Sequence, residues 1–386
     1  MAKGGMTNGM NTWHITHQRT YEYEVVNCPN VFDPQNEALL SVGKRKNSRR
    51  FIIVDANVDR YFSQAIREYF HFHDMDARIL VFPSGEENKT VDNFLWILGE
   101  LDKFPINRRD EPIIAIGGGV LTDIAGFVAS SYRRGIPHIK VPTTLMGYVD
   151  ASVGIKAGVN FNNHKNRLGS FEPPKKVLLD RNFLKTLPER HILNGMCEMI
   201  KLAVIKDPTL FELLELHGRT CIASRFQDET SASLLDRSVG DMLEELQPNL
   251  FEDELARKVD FGHTFSYGLE THDDAHLLHG EAVLLDIVLS SILANDRNLL
   301  PGRELDRLFD LVFKLGFSLN NELITPELLW HTLEERTYHR NGFQRVPLPE
   351  GLGQCTFVND IKFGEIQSAC KILDERKINN EPIYQY

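Results

Sequence analysis

Cysteine is scarce in this sequence, and its spacing forms no framework. The 386 residues contain five cysteines and no CxxC pair: Cys28, Cys197, Cys221, Cys355 and Cys370. Small disulfide-stabilised domains carry many cysteines at short, regular spacings, so that class is excluded. The pattern predicts reduced thiols in an intracellular protein.

Long hydrophobic runs are also missing. No apolar segment approaches the roughly 20 residues that are needed to span a bilayer. The first residues, MAKGGMTNGMNT, have neither a charged leader nor an apolar stretch of the kind found in a signal peptide. We therefore expect a flexible tail over residues 1–12, no membrane contact and a cytoplasmic location.

Positive charge is in deficit. Lysine and arginine number 43 against 54 aspartates and glutamates, which gives a net charge of −11 and argues against a broad nucleic-acid-binding surface. A few local lysines can still bind a small anionic substrate. The 25% charged and 42% hydrophobic residues suffice for one large domain or two ordinary ones.

Short apolar, β-branched runs alternate with helical patterns in the first half of the chain. Five runs are typical of buried parallel strands: FIIVDA (51–56), ARILVF (77–82), PIIAIGG (112–118), HIKVPTT (138–144) and KKVLLD (175–180). This alternation predicts an α/β doubly wound, Rossmann-like sheet over residues 13–180.

The second half has a different period. Apolar residues recur at the 3.6-residue spacing of helices in four segments, 187–205, 231–246, 280–296 and 302–316. We therefore predict a mainly α-helical domain over residues 181–386. Ligands of open α/β proteins bind at the carboxyl ends of the strands, so the active site is expected in the cleft between the halves.

A strand, three glycines and a helix follow one another in IIAIGGGVLTDIAG (113–126). Gly117, Gly118 and Gly119 would let the backbone approach a pyrophosphate, whose charge would meet the free N–H groups of a helix N-terminus. The motif is not GxGxxG, and a plain tight turn explains a glycine triplet equally well.

Two neighbouring strand ends favour a nucleotide site at this turn. VDAN supplies Asp55, a carboxylate that can accept ribose hydroxyls. GEENK supplies Glu86 and Lys89 at the end of the next strand, although such a segment is also typical of a solvated turn.

Candidate metal ligands occur in the second half. Three protein ligands with one open position are the arrangement of catalytic zinc, and Glu198, His263 and His279 could supply them. His272 and His276 are spaced from one another and from His279 as helix neighbours, so spacing alone leaves the choice of histidine open.

Six segments occur in the order found in dehydroquinate synthases and their relatives, the sedoheptulose 7-phosphate cyclases, and the chain resembles that superfamily over residues 50–360. The segments are IGGGVLTDIAGFVASSYRRG, VPTTLMGYVDASVGIKAGVN, HKNRLGSF, LPERHILNGMCEMIK, DFGHTF and HGEAV. The resemblance implies an NAD- and zinc-dependent enzyme in which cobalt can substitute for zinc.

The resemblance also assigns residues to the cofactors. The glycine turn, Gly117 included, would bind NAD together with Asp55, Asn57, Glu86, Lys89, Gly118, Gly119, Val120, Asp123, Thr143, Thr144 and Asp150. Glu198, His263 and His279 become the metal ligands, because His279 alone among its neighbours lies in HGEAV.

Further positions match groups that hold the substrate. The residues that hold the substrate and its phosphate are matched by Lys156, Lys165, Asn166 and Lys201, with Asp150 beside them, and we expect Lys156 and Lys201 to act in catalysis as well. Taken alone, such lysines are typical of solvated surface. Arg134 matches an arginine that reaches the partner subunit's phosphate pocket, which implies a homodimer.

The resemblance further implies a reaction. A substrate alcohol loses its hydroxyl proton while a hydride passes from its carbon to NAD, and phosphate then leaves by elimination. The hydride returns to the substrate, and an intramolecular aldol step closes a carbocycle. Lysines must orient the phosphate and yet release it as product.

Two departures predict the type of substrate. Dehydroquinate synthases hold a substrate carboxylate with a lysine and an arginine, whose places are taken here by Met242 and Ala256, although Arg257 is adjacent. A buried unpaired carboxylate is costly, so we expect a substrate without one. Asp260, in place of the family's asparagine, would repel phosphate and favour hydroxyl recognition.

The combination of Leu246, Asp260 and His339 resembles the 2-epi-5-epi-valiolone synthase branch. The segment HRNGFQRVPLP (339–349), which contains Arg340, resembles the same branch, whereas Asn341 and Tyr267 depart from it. This resemblance implies that Asp260 and His339 act in catalysis and that Leu246 and Arg340 contact the substrate.

Other functions remain open at this stage. A 2-epi-valiolone or desmethyl-4-deoxygadusol synthase, or a dehydroquinate synthase with altered carboxylate recognition, would share the motifs. An NAD-linked polyol dehydrogenase would lack the phosphate-binding lysines. The apparently complete set of Lys156, Glu198, His263 and His279 argues against a non-catalytic binding protein.

Overall fold

The predicted strands are present in the computed structural model, which describes residues 3–7, 10–43, 48–162, 164–272 and 276–380. Within those residues the strands are β1 (Lys3–Thr7), β2 (Met10–His14), β3 (Glu24–Asn27), β4 (Arg49–Asp55), β5 (Asp76–Phe82), β6 (Ile113–Gly117), β7 (His138–Pro142), β8 (Lys156–Phe161), β9 (His164–Phe171), β10 (Lys176–Leu179), β11 (Val346–Pro349) and β12 (Cys355–Val358).

One parallel sheet contains all five predicted strands. Its order is β3-β10-β7-β6-β4-β5, and every neighbouring pair is parallel. All residues of β6 and β7 are buried, as expected where helices cover both faces of a sheet. The predicted doubly wound sheet is confirmed. β3 gives no strong sequence signal because EVVN is short and only half-buried.

Helices dominate the second half, as predicted. The described helices are α1 (Ala56–Phe72), α2 (Val91–Lys103), α3 (Gly119–Ser131), α4 (Glu189–Ile205), α5 (Pro208–Ala223), α6 (Glu229–Leu246), α7 (Ser266–Thr271), α8 (His279–Asp296), α9 (Gly302–Leu315), α10 (Pro326–His339) and α11 (Phe363–Asn380). Apolar on nearly every side, α8 packs against α4 in the largest core. None of these described helices could cross a bilayer.

Two antiparallel hairpins complete the first half. β1 and β2 pair with each other in the segment expected to be a flexible tail. The sequence does not predict these strands, because apolar and polar residues do not alternate there. β8 and β9 form the second hairpin, which packs on α3.

A cavity of about 1080 Å³ lies where the two halves meet. The carboxyl ends of the sheet strands contribute Asp55, Gly118 and Thr143, and the helical half contributes Lys201 and His263. The cleft expected between the halves is therefore present.

Candidate active site

The turn between β6 and α3 presents unoccupied backbone N–H groups. Gly118 is the N-cap of α3, and no side chain caps the helix. A Cβ atom at Gly118 would lie 3.0 Å from Thr144 Cγ2, and one at Gly119 would lie 3.1 Å from Ala151 Cβ. The turn has room for backbone alone, and free N–H groups at a helix N-terminus fit a pyrophosphate.

Lys89 lies in a buried ion pair beside this turn. The side chain is 4% exposed, and its Nζ donates to Asp123 Oδ2 at 2.6 Å and to Asn166 Oδ1 at 2.5 Å. Burial opposes the charge, but Asp123 and Glu86 raise the pKa of Lys89 above its ordinary value. The alternative of a solvated turn at GEENK is therefore wrong.

Asp55 closes the nucleotide side of the cavity. Its Oδ1 accepts from the backbone N–H of Asn57 at 2.8 Å, which caps α1, and from Ser84 Oγ at 2.6 Å. Apart from Gly117, which ends β6, all the residues predicted to contact the nucleotide line the cavity: Asp55, Asn57, Glu86, Lys89, Gly118, Gly119, Val120, Asp123, Thr143, Thr144 and Asp150.

Glu198, His263 and His279 converge from α4, the loop before α7 and the first turn of α8. The two Nε2 atoms lie 3.8 and 3.7 Å from Glu198 Oε1, and the three ligand atoms are all within 4.8 Å of one another. Glu198 is fully buried, and its Oε1 has no hydrogen-bond partner among the described residues. Such an oxygen facing two imidazole nitrogens fits a zinc ion with one open position.

The other ring nitrogens fix how the histidines present themselves. His263 Nδ1 lies 3.1 Å from the Phe261 carbonyl, and His279 Nδ1 lies 2.9 Å from Glu270 Oε1. Burial opposes a charge on His279, but Glu270 and Glu198 raise its pKa to about 10, whereas burial and Lys201 lower the pKa of His263 to about 3. The Nε2 atoms are thereby left to face Glu198.

Glu270 is a site residue that the sequence analysis does not identify. Its Oε1 contacts His279 and its Oε2 accepts from Lys165 Nζ at 2.8 Å. Although burial opposes ionisation, His279 and Lys165 hold the pKa of Glu270 at about 2. The one sequence signal is a carboxylate on α7, between the two ligand histidines. His272 and His276, which spacing left open, are outside the metal cluster found among the described residues.

The predicted substrate residues of the first half and α4 also reach the cavity. Lys201 is buried and pairs with Glu198, while Lys165 and Asn166 contact Glu270 and Lys89. Asp150 lies in the π-helical turn Gly147–Ala151, where burial and nearby Glu198 raise its pKa. Lys156 Nζ lies 2.6 Å from Glu252 Oε1. All three lysines are therefore ion-paired, and Lys165 and Lys201 are also largely buried, whereas Lys156 remains 61% exposed.

Family models match most of the chain that forms this site. A model described as 3-dehydroquinate synthase N-terminal matches residues 79–194, and one described as 3-dehydroquinate synthase C-terminal matches residues 195–336. The chain belongs to the 3-dehydroquinate synthase family. The resemblance of the six sequence segments is thus confirmed.

Within the family, the chain is similar to valiolone-forming enzymes. A 2-epi-5-epi-valiolone synthase of Actinoplanes sp. is 47% identical over 367 residues, which cover 93% of this chain and 92% of that one. Another from Actinomyces sp. is 44% identical over 95% of this chain and 98% of its own length. The 2-epi-5-epi-valiolone synthase structure from Streptomyces hygroscopicus subsp. jinggangensis 5008, with NAD+ and Zn2+ bound, matches with a TM-score of 0.90 at 42% identity, covering 94% of this chain and 100% of that one.

Asp260 has a different environment in this family member from the one predicted. Its carboxylate contacts three guanidinium groups, those of Arg257, Arg336 and Arg340. Burial opposes its ionisation, but Arg336 and the other two arginines hold the pKa of Asp260 well below its ordinary value. The predicted repulsion of phosphate by Asp260 is therefore wrong, because three cations surround that one carboxylate.

His339 does not reach the cavity of this family member. It is exposed at the end of α10, outside the residues that line the cavity, whereas the next residue, Arg340, is buried against Asp260. Neighbouring residues of a helix point about 100° apart, so only one of the two can face inward.

The remaining predicted residues occupy two environments. Leu246 lines the cavity beside Met242, and Arg257, which stands next to Ala256 in the sequence, lines it as well. Arg134 is exposed and has a left-handed backbone with φ 63°, outside the cavity lining.

Proposed function

We propose that this family member is a sugar-phosphate cyclase that converts sedoheptulose 7-phosphate to 2-epi-5-epi-valiolone and phosphate. Its reaction would be transient oxidation of a substrate alcohol, elimination of phosphate, return of the hydride and intramolecular aldol closure. The observation that carries this proposal is that the glycine turn and the Glu198, His263 and His279 cluster face one cavity. Similarity to valiolone-forming enzymes over nearly the whole chain supports it.

The two proposed cofactors have matching sites. NAD+ would lie on the turn at Gly118 and Gly119, and Zn2+ would be held by Glu198, His263 and His279. When bound, NAD+ takes a hydride from the substrate and returns it in the same turnover, and Zn2+ polarises the substrate hydroxyl groups. Co2+ is an expected substitute, since it accepts the same nitrogen and oxygen ligands.

The chain's own side chains would bind and orient the sugar phosphate. We assign Lys165 and Asn166 to the phosphate, because they lie side by side on β9 and both line the cavity. We assign Lys201 and Asp150 to proton movement near the reacting hydroxyl. The pKa values of both are raised, that of Lys201 chiefly by Glu198 against the effect of burial.

We also propose the organisation of the protein. Residues 13–180 would form the nucleotide-binding domain and residues 181–386 the metal- and substrate-binding domain. A homodimer would bring exposed Arg134 to the partner's phosphate site. The protein would act in the cytoplasm, where thiols remain reduced, which is supported by its five free cysteines.

One incubation tests the proposed reaction. Purified protein with sedoheptulose 7-phosphate, NAD+ and Zn2+ is expected to release one phosphate per turnover without net NADH, and NMR should identify 2-epi-5-epi-valiolone. Accumulation of NADH would indicate a polyol dehydrogenase instead. A different cyclitol in the NMR spectrum would overturn the product assignment but keep the reaction class.

A further inference from the structure

Glu252 forms ion pairs with the two cationic side chains that face the cavity beside Leu246. Its Oε1 lies 2.6 Å from Lys156 Nζ and also contacts the Arg257 guanidinium. The other guanidinium nitrogen of Arg257 contacts Asp260. Lys156, Arg257 and Glu252 all line the cavity, so each positive group on this wall already faces a carboxylate.

The backbone holds Glu252 in an uncommon conformation. Its φ is 59°, in the left-handed region that non-glycine residues rarely adopt. Asn249 fixes the loop, since its Oδ1 accepts from the Glu254 N–H at 3.1 Å, its Nδ2 donates to the Glu254 carbonyl at 2.7 Å, and its carbonyl accepts from the Glu252 N–H at 3.0 Å. Unusual backbone conformations of this kind cluster at ligand sites.

The rest of this wall is apolar. Met242, Leu246, Leu250 and Val259 line the cavity around Glu252, whose side chain remains 21% exposed while that of Lys156 is 61% exposed. An anionic group that enters here meets a carboxylate, and the two cations that the described residues supply on this wall are already paired with Glu252. A hydroxyl group, by contrast, can donate to Glu252 without a charge penalty.

We propose that Glu252 is a specificity-determining residue that rejects a carboxylate on the substrate. By neutralising Lys156 and Arg257, it closes the wall to sugar phosphates that carry an acid group and leaves it open to those that end in hydroxyls. This proposal rests on the proposed function, since it concerns how the same cavity selects sedoheptulose 7-phosphate.

The test uses Glu252→Gln, which retains size and hydrogen bonding but frees the two cations. The probe is the seven-carbon acid phosphate on which dehydroquinate synthases act, measured as a competitive inhibitor of phosphate release from sedoheptulose 7-phosphate. We expect its inhibition constant to fall at least tenfold in Glu252→Gln, with a much smaller change in KM for sedoheptulose 7-phosphate. Glu252→Asp, which keeps the charge, should still reject the acid.

The matched control is Glu254→Gln, an exposed position in the same loop and outside the cavity lining. Unchanged affinity for the acid in folded Glu252→Gln, or an equal gain in Glu254→Gln, would overturn the proposal. Glu252→Ala provides a second loss of charge, and failure of both variants to fold would make Glu252 structural and overturn it too. If the wild-type protein does not turn over the sugar phosphate, the proposed function fails, whereas direct titration of the acid still tests Glu252.

Discussion

The two walls of the cavity are built on different physical principles. On the sheet side, the turn at Gly118 and Gly119 offers backbone N–H groups and leaves no space for side chains. On the helical side, the functional groups are buried charges such as Glu198, Lys201 and Asp260, each in contact with an opposite charge. The first wall depends on the shape of the backbone and the second on the balance of charge.

The two walls should therefore be sensitive to different kinds of substitution. Added atoms should damage the nucleotide wall, because a Cβ at Gly118 or Gly119 would lie only 3.0 or 3.1 Å from a neighbouring side chain. Removal of single charges should damage the helical wall, because a buried charge without its partner is strongly unfavourable. Four substitutions test this difference between the two walls.

The largest effect is expected for His263→Ala, which removes one of the three proposed metal ligands. Zinc affinity and phosphate release should fall by more than the roughly 100-fold that loss of a hydrogen-bond partner behind a metal ligand can cost. NAD+ affinity, measured by calorimetric titration without added metal, should differ little from that of the wild-type protein titrated in the same way. His276→Ala, an exposed histidine outside the cluster, is the control. Retained zinc binding in His263→Ala would refute the metal assignment.

Asp260→Asn tests the charge balance around the three arginines. Loss of the carboxylate leaves the buried guanidinium groups of Arg336 and Arg340 without their carboxylate partner, so the free energy of unfolding should fall by about 3 kcal/mol. Since the folded pKa of Asp260 is depressed, its contribution is complete above the ordinary Asp pKa of about 3.9 and is lost as the pH falls below it.

Urea unfolding near neutral pH and in acid would measure this effect. The difference in unfolding free energy between the wild-type protein and Asp260→Asn should be large near neutral pH and smaller in acid. Asp253→Asn, exposed in the preceding loop, should behave as wild type. Unchanged stability together with unchanged phosphate release in Asp260→Asn would show that the carboxylate is only a marker of the branch.

Gly118→Val tests the sheet side by adding atoms where a Cβ already lies 3.0 Å from Thr144 Cγ2. NAD+ affinity should fall about tenfold to a hundredfold, since overpacking costs roughly 1–3 kcal/mol. Zinc affinity, measured without NAD+, should be retained. Gly99→Ala is the control, because Gly99 is exposed on α2 with nothing within 4 Å of an added Cβ. Normal NAD+ binding by Gly118→Val would show that the glycine turn is not part of the nucleotide site.

The smallest of the four effects is expected for Glu270→Gln, which keeps a hydrogen-bond acceptor for His279 but loses the charge. Zinc affinity should fall about tenfold, the lower end of the range for groups that orient metal ligands. Competition with a chelator would measure the change in zinc affinity. The control is Glu334→Gln, which changes an exposed side chain on α10. No difference between the two variants would restrict Glu270 to a structural role.

The sequence predicts those parts of the fold that depend on local pattern. Continuous apolar runs indicate β6 and β7 because both faces of these strands are buried. The glycine turn is predictable because a strand, a turn and a helix N-terminus are contiguous in the chain. The metal set required the resemblance to known enzymes, since spacing alone left His272 and His276 as alternatives to His279.

Contacts between distant segments could not be predicted in this way. The arginines that surround Asp260 include Arg336, in the last turn of α10, and Arg340, just after its end, which are 76 and 80 residues further along the chain. The inference that Asp260 repels phosphate fails because these partners carry no local signal. Glu270 escapes prediction for the same reason, since its partners Lys165 and His279 lie on separate elements.

The hairpin of β8 and β9 connects the two walls through adjacent residues. Asn166 contacts Lys89 on the nucleotide side, and Lys165 contacts Glu270, which also contacts the proposed metal ligand His279. Cofactor-induced ordering of this hairpin would lower the entropic cost of ordering it for the other cofactor. Under thermodynamic linkage such an effect is reciprocal, so NAD+ and the metal would change each other's affinity by the same factor.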